Sequence, residues 1–499
     1  MSDSQSLQQV SRTEHSIEAE QSEFARLLQK EFKPRSDRVR DEVTVAVRTL
    51  AEHALRGVDI IPGETIETIE AIIAKLDEAL SKQINAILHH PDLQKLEGTW
   101  RGLHYLVTNT ATDEMLKIRV LNISKTDLTK SLRSFKGTAW DQSPIFKKIY
   151  EGEFGQPGGQ PYGCMVGDYY FDQSPPDVAL LGEIAKTAAA AHMPFIAAAA
   201  PAVLQMDSWQ ELDKPRDLTK IFQTPEYDAW RALRESEDSR YIGLTMPRVL
   251  ARLPYGAKTD PVEAFAFEED TAGADHTHYT WSNAAYAMAV NINRSFKDHG
   301  WLSRIRGRET GGAVKGLPIH TFPSDDGGVD VKCPTEVLIS GRREAELSKN
   351  GFMPLVHWKN TNEAVFIGAQ SLQKPTEYND PQATANAALA ARLPYLFASC
   401  RFAHYLQCMV RDKVGKYTSQ HELKRWLSNW IFQFVDGDPE NSADETKAEK
   451  PLADAKVEIE EDPSNPGYYK AQFFLRPHYQ LEGMTMSMRL VSKLPSSKS

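Results

Sequence analysis

Cysteine is scarce: Cys164, Cys333, Cys400 and Cys408 are the four in 499 residues. They are too few and too scattered for a disulfide framework or a zinc site, so reduced thiols in a cytoplasm are expected. Long apolar runs are missing as well. The most apolar stretch, Thr187 to Met206, is broken by His192, Pro194 and Pro201, and Met1 to Glu20 lacks the charged-then-apolar order of a signal peptide. Neither membrane spanning nor export is expected. Positive charge is in deficit, with 58 basic residues against 68 acidic and a formal charge of -10, which argues against a nucleic-acid binder. Much of the excess is local, because Asp436 to Asp462 holds 11 acidic residues against Lys447, Lys450 and Lys456.

Catalytic motifs are absent too. The chain has no G-x-S-x-G elbow, no H-E-x-x-H, no C-x-x-C and no G-x-G-x-x-G, each of which would place a nucleophile, metal or phosphate by a known local geometry. The run Gly311 to Gly316 imitates a phosphate loop, but Lys315 precedes the second glycine. A turn needing positive φ explains those glycines better. His276 and His278 form a His-x-His pair near Glu268, Glu269, Asp270 and Asp275, two imidazoles without a third ligand at fixed spacing. Asp168 and Asp172 stand in GDYYFD, and His404 stands beside Arg401 and Tyr405 on a helix; a loop after a buried strand and a packed helix are the plainer readings.

What is present is a globular composition, 41% hydrophobic and 25% charged, with room for two to four domains at roughly 100–200 residues each. Ile66, Ile69, Ile73, Leu76, Leu80, Ile84 and Ile87 recur at spacings of 3, 4, 3, 4, 4 and 3. That near-heptad stripe predicts a helix, docked on its own domain or against another chain. Pro91 and Asp92 open another, with Leu93, Leu96, Trp100, Leu103 and Val107. A strand is expected at Leu116, Ile118 and Val120. Further strands at Gly163–Phe171, Phe195–Ala200 and Tyr241–Met246, with a helix at Asp177–Ala191, suggest mixed α/β organisation.

Asp380 and Pro381 open a helical block that Pro394 should kink or split. Ser419 and Glu422 have capping-box spacing ahead of Leu423, Leu427, Trp430 and Phe434. Trp100, Trp426 and Trp430 are assigned to core or subunit contacts. The acidic segment 436–462 reads as a solvated loop. Near the end, Val457 and Ile459 alternate with charges. Tyr469, Ala471, Phe473 and Leu475 then share one strand face, and Met484, Met486, Met488 and Leu490 another. Such strands either close the chain's own sheet or pair with another subunit.

Several strings together resemble one family, the large subunit of the type VI secretion contractile sheath (TssC/VipB). They are LEGTWRGLHYLV from Leu96, GDYYFD from Gly167, RIRGRETGGAVKGLPIHTF from Arg304, KCPTE from Lys332, RREAEL from Arg342, GAQSLQKP from Gly368 and ARLPYLFASCRFAHYLQ from Ala391. They follow the family order from about residue 60 to 415. The family often has three consecutive glycines where this chain has Thr310, Gly311 and Gly312.

The resemblance implies a mixed α/β (α+β) contractile-sheath subunit, mixed sheets flanked by helices, with terminal arms and strands for inter-subunit pairing. Residues 1–60 would be a linking arm and helix, 61–370 the main region, and 371–499 a C-terminal region with the acidic loop and terminal strands. It implies a heterodimer with a small sheath subunit (TssB/VipA family), polymerisation with copies of itself around an inner tube of ring protein (Hcp family), and a baseplate. Disassembly would fall to an AAA+ ATPase (ClpV family) acting mainly through the small subunit. No catalytic residue, cofactor, metal, nucleic acid or membrane insertion is implied.

Within that reading, the stripe Ile66–Ile87 is assigned to the small partner, the terminal strand residues to subunit pairing, and Glu422, Lys424 and Arg425 to the inner tube, against an ordinary solvated helix face. An arm of about 20 residues reaches up to roughly 70 Å when extended, enough to bridge neighbours. The competing readings are the sheath of a phage-like contractile particle and an α/β enzyme using Asp168, Asp172 and His404.

Overall fold

The computed structural model describes residues 38, 45, 49 and 65–478, apart from 136, 215–216, 272, 274, 325–326, 414–418 and 462–468. The arm expected over 1–60 lies almost wholly outside these residues, and Met484, Met486, Met488 and Leu490 lie entirely outside them. Contacts divide the chain into two compact units, one of residues 1–93 with 254–271 and one of 94–253 with 272–499.

In the first unit, helix α1 (Thr65–Leu88) covers the predicted stripe. Asn85 fastens its C-terminal end to the 254–271 segment, donating to the Glu268 carbonyl at 3.2 Å and accepting from the Asp270 amide at 2.9 Å. Within that segment the Glu269 carboxylate accepts the Tyr255 amide at 2.8 Å.

The second unit is built on a six-stranded sheet. Strands β1 (Met165–Phe171), β2 (Phe195–Ala199), β3 (Ile242–Met246) and β5 (Phe352–His357) run parallel in that order. Strands β6 (Ala364–Phe366) and β4 (Ala313–Val314) complete it antiparallel. Parallel neighbours need crossovers; helix α4 (Pro175–Ala190) supplies the one between β1 and β2. Every residue of β2 and β3 is buried, the mark of strands covered on both faces.

Alternation divides the core. Phe195, Ala197, Ala199 and Phe352 face Leu181, Trp209 and Trp230, whereas Ile196, Met353 and Leu355 face helices α6 (Ala284–His299) and α9 (Leu393–Lys413) through Met288, Ile292 and Phe397. Successive side chains of a strand point to opposite faces, so one sheet supports two layers of helix. The chain is thus mixed α/β, as its alternating pattern predicts. Helix α8 (Pro381–Ala390) ends just before α9, and Pro394 occupies the second position of the new helix, where its missing N–H costs nothing.

A third cluster joins α9 to helix α10 (Gln420–Ile431) and a C-terminal hairpin of β7 (Leu452–Glu461) and β8 (Tyr469–Pro477). The Ser419–Glu422 capping box is formed in full, satisfying two orphan amides at the helix start.

Two expectations fail here. Residues 116–120 form no strand; Val120 is exposed, and among the described residues β1 pairs with β2 alone. The acidic segment is not a loop, since Asp444–Glu449 is helical and Leu452–Glu461 is strand. Along β7, carboxylates such as Asp454 and Glu460 sit at outward positions while Ala455, Val457 and Ile459 are buried, so a high charge count coexists with a packed inner face.

Candidate subunit-contact surfaces

Helix α1 keeps its stripe largely uncovered. Ile73 and Ile87 are 51% and 60% exposed, and Leu76, Leu80 and Ile84 are half-buried. Ile66 and Ile69 belong to the helical backbone, but their side chains lie outside the described residues. No member of the stripe whose side chain is described is fully buried.

Helix α2 (Pro91–Thr108) turns part of its apolar pattern outward. From Gln94 to Gly102 its inward face is polar and small, and only the last turns bury an apolar side chain, Leu106, against Tyr286 and Val290. Gln94 donates to the Thr277 carbonyl at 2.7 Å, and Thr99 donates to the Asp168 carboxylate at 2.6 Å. Glu97 receives Arg252 at 2.6 Å, Arg101 at 2.7 Å and Thr280 at 3.0 Å. Burial opposes ionisation of Glu97, but the bonds from Arg252 and Arg101 overcome it and hold the carboxyl below its usual range. Gly98 and Gly102 complete this face: a Cβ at 98 would stand 2.3 Å from the Trp281 carbonyl oxygen, and one at 102 would stand 2.4 Å from the Tyr286 ring. Leu96, Trp100 and Val107 therefore point away, 55%, 63% and 48% exposed.

Trp100 is accordingly no core residue. Trp426 and Trp430 are packed against the third cluster, Trp430 with its ring 5.2 Å from Phe434. The outward face of α2 was not singled out from sequence as a contact surface. The signal that finds it is the glycine pair four apart, flanked by Glu97 and Thr99, because close backbone approach and bonded polar groups mark the inner side.

The C-terminal hairpin pairs Val457 with Phe473, Ala455 with Leu475, Ile459 with Ala471 and, by backbone, Glu461 with Tyr469. Phe473 and Leu475 lean on the third cluster. One edge of β8 is thus used within the chain. Among the described residues the opposite edge carries no strand, and the outer edge of β7 meets only a single bridge from Val435 to Leu452. On α10 the Glu422 carboxylate accepts the Ser419 amide at 3.1 Å, which holds its pKa down, and Lys424 and Arg425 are exposed.

The candidate chemical groups are not brought together. Asp168 accepts from Thr99 and Asn283, while Asp172 accepts the Ser174 amide. His276 is buried on Glu336 at 3.0 Å and His278 approaches Asp275 at 3.6 Å; among the described residues no cluster of three metal-ligating side chains occurs. His276 and His278 lie on a short 3-10 turn. The glycine run is a turn, with φ of +96° at Gly311 and +70° at Gly316. No described helix is long and apolar enough to cross a membrane.

Residues 70–373 match the family described as EvpB/VC_A0108, tail sheath N-terminal domain, and residues 382–494 match the tail sheath gpW/gp25-like domain of the same family. The type VI secretion system sheath protein TssC1 of Pseudomonas aeruginosa is 70% identical over 477 residues, 96% of each chain. Among solved structures, a chain of the anti-feeding prophage baseplate matches with a TM-score of 0.36 at 13% identity, over 76% of this chain and 83% of that one. A chain of the contracted PVC sheath complex of an extracellular contractile injection system matches with 0.34 at 11%, over 61% and 68%. At these scores the structural likeness carries no weight.

Proposed function

The chain belongs to the EvpB/VC_A0108 tail sheath family as a structural sheath subunit, and from that premise we propose a division of labour among its surfaces. The chain pairs with a smaller sheath protein, and the heterodimers polymerise in the cytoplasm into a helical tube around an inner tube, whose expulsion follows sheath contraction. A heterologous contact that does not close into a ring generates such an open helix. Contraction is then a switch between two packings of the same subunits, and no residue is assigned a hydrolytic step.

The observation that carries this reading is the pair of uncovered apolar helix faces. Ile73, Leu76, Leu80, Ile84 and Ile87 on α1, together with Ile66 and Ile69, are assigned to the small partner, and Leu96, Trp100 and Val107 on α2 to subunit contacts. Contiguous exposed apolar surface on a folded chain marks an association site. The open edges of the β7–β8 hairpin, from Tyr469 through Leu475, suit addition of a strand from a neighbour, which links subunits by backbone hydrogen bonds. Met484, Met486, Met488 and Leu490 are assigned to the same linkage. Lys424 and Arg425, with Glu422, are offered as the contact with the inner-tube ring protein. Baseplate attachment and ATPase-driven disassembly through the small subunit complete the proposal.

Negative-stain electron microscopy of the chain co-expressed with the small sheath protein tests it. Hollow helical tubes are the expected result. Discrete particles alone, with both proteins folded, would sink the reading.

A further inference from the structure

The string ARLPYLFASCRFAHYLQ holds one arrangement that the proposed subunit contacts leave unassigned. Arg401 projects from α9 with its guanidinium between two aromatic rings, 5.3 Å from the Phe296 centroid and 4.5 Å from that of Tyr405. Among the described residues no carboxylate and no hydrogen-bond acceptor reaches it, and its Nε is buried without a partner. It lines a cavity of about 370 Å³.

The other walls limit what fits. Ile292, Phe296 and Leu302 form an apolar floor. Lys117 is held by Gln160 at 3.0 Å, Arg119 is paired with Glu153, and Glu114 is the one acid among the lining residues. His404, 2% exposed, donates Nε2–H to the Ala191 carbonyl at 2.9 Å, which leaves Nδ1 as an unpartnered acceptor. Burial holds that imidazole near a pKa of about 4, so it stays uncharged at neutral pH. The Cys164 thiol is pushed up to about 12 by burial and stays protonated. Arg401 is thus a half-buried cation packed between two rings with its Nε buried and unfilled, and a planar fork is matched by a carboxylate in bidentate geometry.

We propose that this cavity is a binding site for a monocarboxylate borne on an apolar body, the carboxylate on Arg401 and the apolar body on Ile292, Phe296 and Leu302. A dianion such as phosphate is disfavoured, since the Glu114 carboxylate stands on the same lining and Ile292, Phe296 and Leu302 offer it no hydrogen bonds. The carboxylate has two possible sources, a free small acid or an acidic side chain of another subunit next to an apolar residue.

Calorimetric titration of the full chain with 3-phenylpropionate and with its neutral amide tests the site. A charge-assisted bidentate pair predicts at least ~10-fold tighter binding of the acid. Arg401→Met, which keeps the stem between the rings, should reduce the acid to the level of the amide, and Arg401→Lys should fall between. Equal binding of acid and amide by the wild-type chain overturns the proposal, as does no binding of the acid; both results are readable even where a variant does not fold. Unchanged acid binding by folded Arg401→Met overturns it too. Wild-type tube assembly with the small sheath protein then separates the sources: inhibition by 3-phenylpropionate at concentrations that fill the site points to an acidic side chain of a subunit, and unimpeded assembly points to a free acid. Failure of the wild type to form tubes would sink the sheath reading and leave the titration standing.

Discussion

Helices α2 and α10 are both amphipathic and both carry tryptophan, yet they are oriented oppositely. Helix α10 buries Leu427 and Ile431 and turns Lys424 and Arg425 outward. Helix α2 turns Gly98, Gly102 and the Glu97 network inward, with Leu106 its one fully buried apolar side chain, and points Leu96, Trp100 and Val107 outward. An apolar stripe therefore identifies a face that seeks cover without saying which chain covers it. On α10 the cover is the chain's own hairpin; on α2 and α1 the proposal above assigns it to other subunits.

Removing Glu97 attacks the polar anchor of α2. Its partner Arg252 has a side chain only 5% exposed, and an abandoned buried cation costs about 3–5 kcal/mol. Glu97→Ala should lower stability by about 4 kcal/mol in urea unfolding; a loss below about 1 kcal/mol would show that the apolar side of the helix, not the polar one, attaches it. The sign of the pH effect follows. Because the folded carboxyl sits below its usual 4.5, its stabilisation is present above that value and is lost as pH falls through the depressed one. Glu336, held down to about 2 by Arg248 and His276 against the opposing effect of burial, behaves alike over about pH 4.5 to 2. The wild-type unfolding midpoint should fall with acid over this range, and Glu97→Ala should flatten part of the fall.

Leu427→Ala attacks the apolar anchor of α10. Fully buried leucine truncation costs about 2–5 kcal/mol, so a loss of about 3 kcal/mol is expected, measured the same way. Trp100→Asp completes the comparison with the smallest effect on the monomer, within about 0.5 kcal/mol as for other exposed positions. Recovery of the small partner or of tubes should nevertheless drop severely. A large loss of monomer stability from Trp100→Asp would return that tryptophan to the core and end the contrast between the helices.

Much of the second unit was legible in order. Apolar runs placed β1, β2 and β3, and the Ser419 box placed the start of α10 to the residue. The strand expected at Leu116–Val120 failed because alternation states a preference for a half-buried ladder, and among the described residues no strand pairs with it. The acidic loop failed because charge was counted along the chain instead of by face. For the candidate surfaces, the spacing of Ile66–Ile87 was readable, and so was the alternation of Ala471, Phe473 and Leu475. That β8 spends one edge and this inner face on its own chain was not, since period two is the same whichever partner a strand finds.

Helix periods, caps, proline breaks and family membership are local properties, carried by neighbours in the chain, and the sequence by itself determined them. Which face of each helix points inward is set by what lies opposite: the Trp281 carbonyl and Tyr286 ring that admit only glycine at 98 and 102, and Arg252 waiting for Glu97. Those partners are distant in sequence, so only the tertiary structure decided that the tryptophan at 100 is turned outward and the one at 430 packed within the chain.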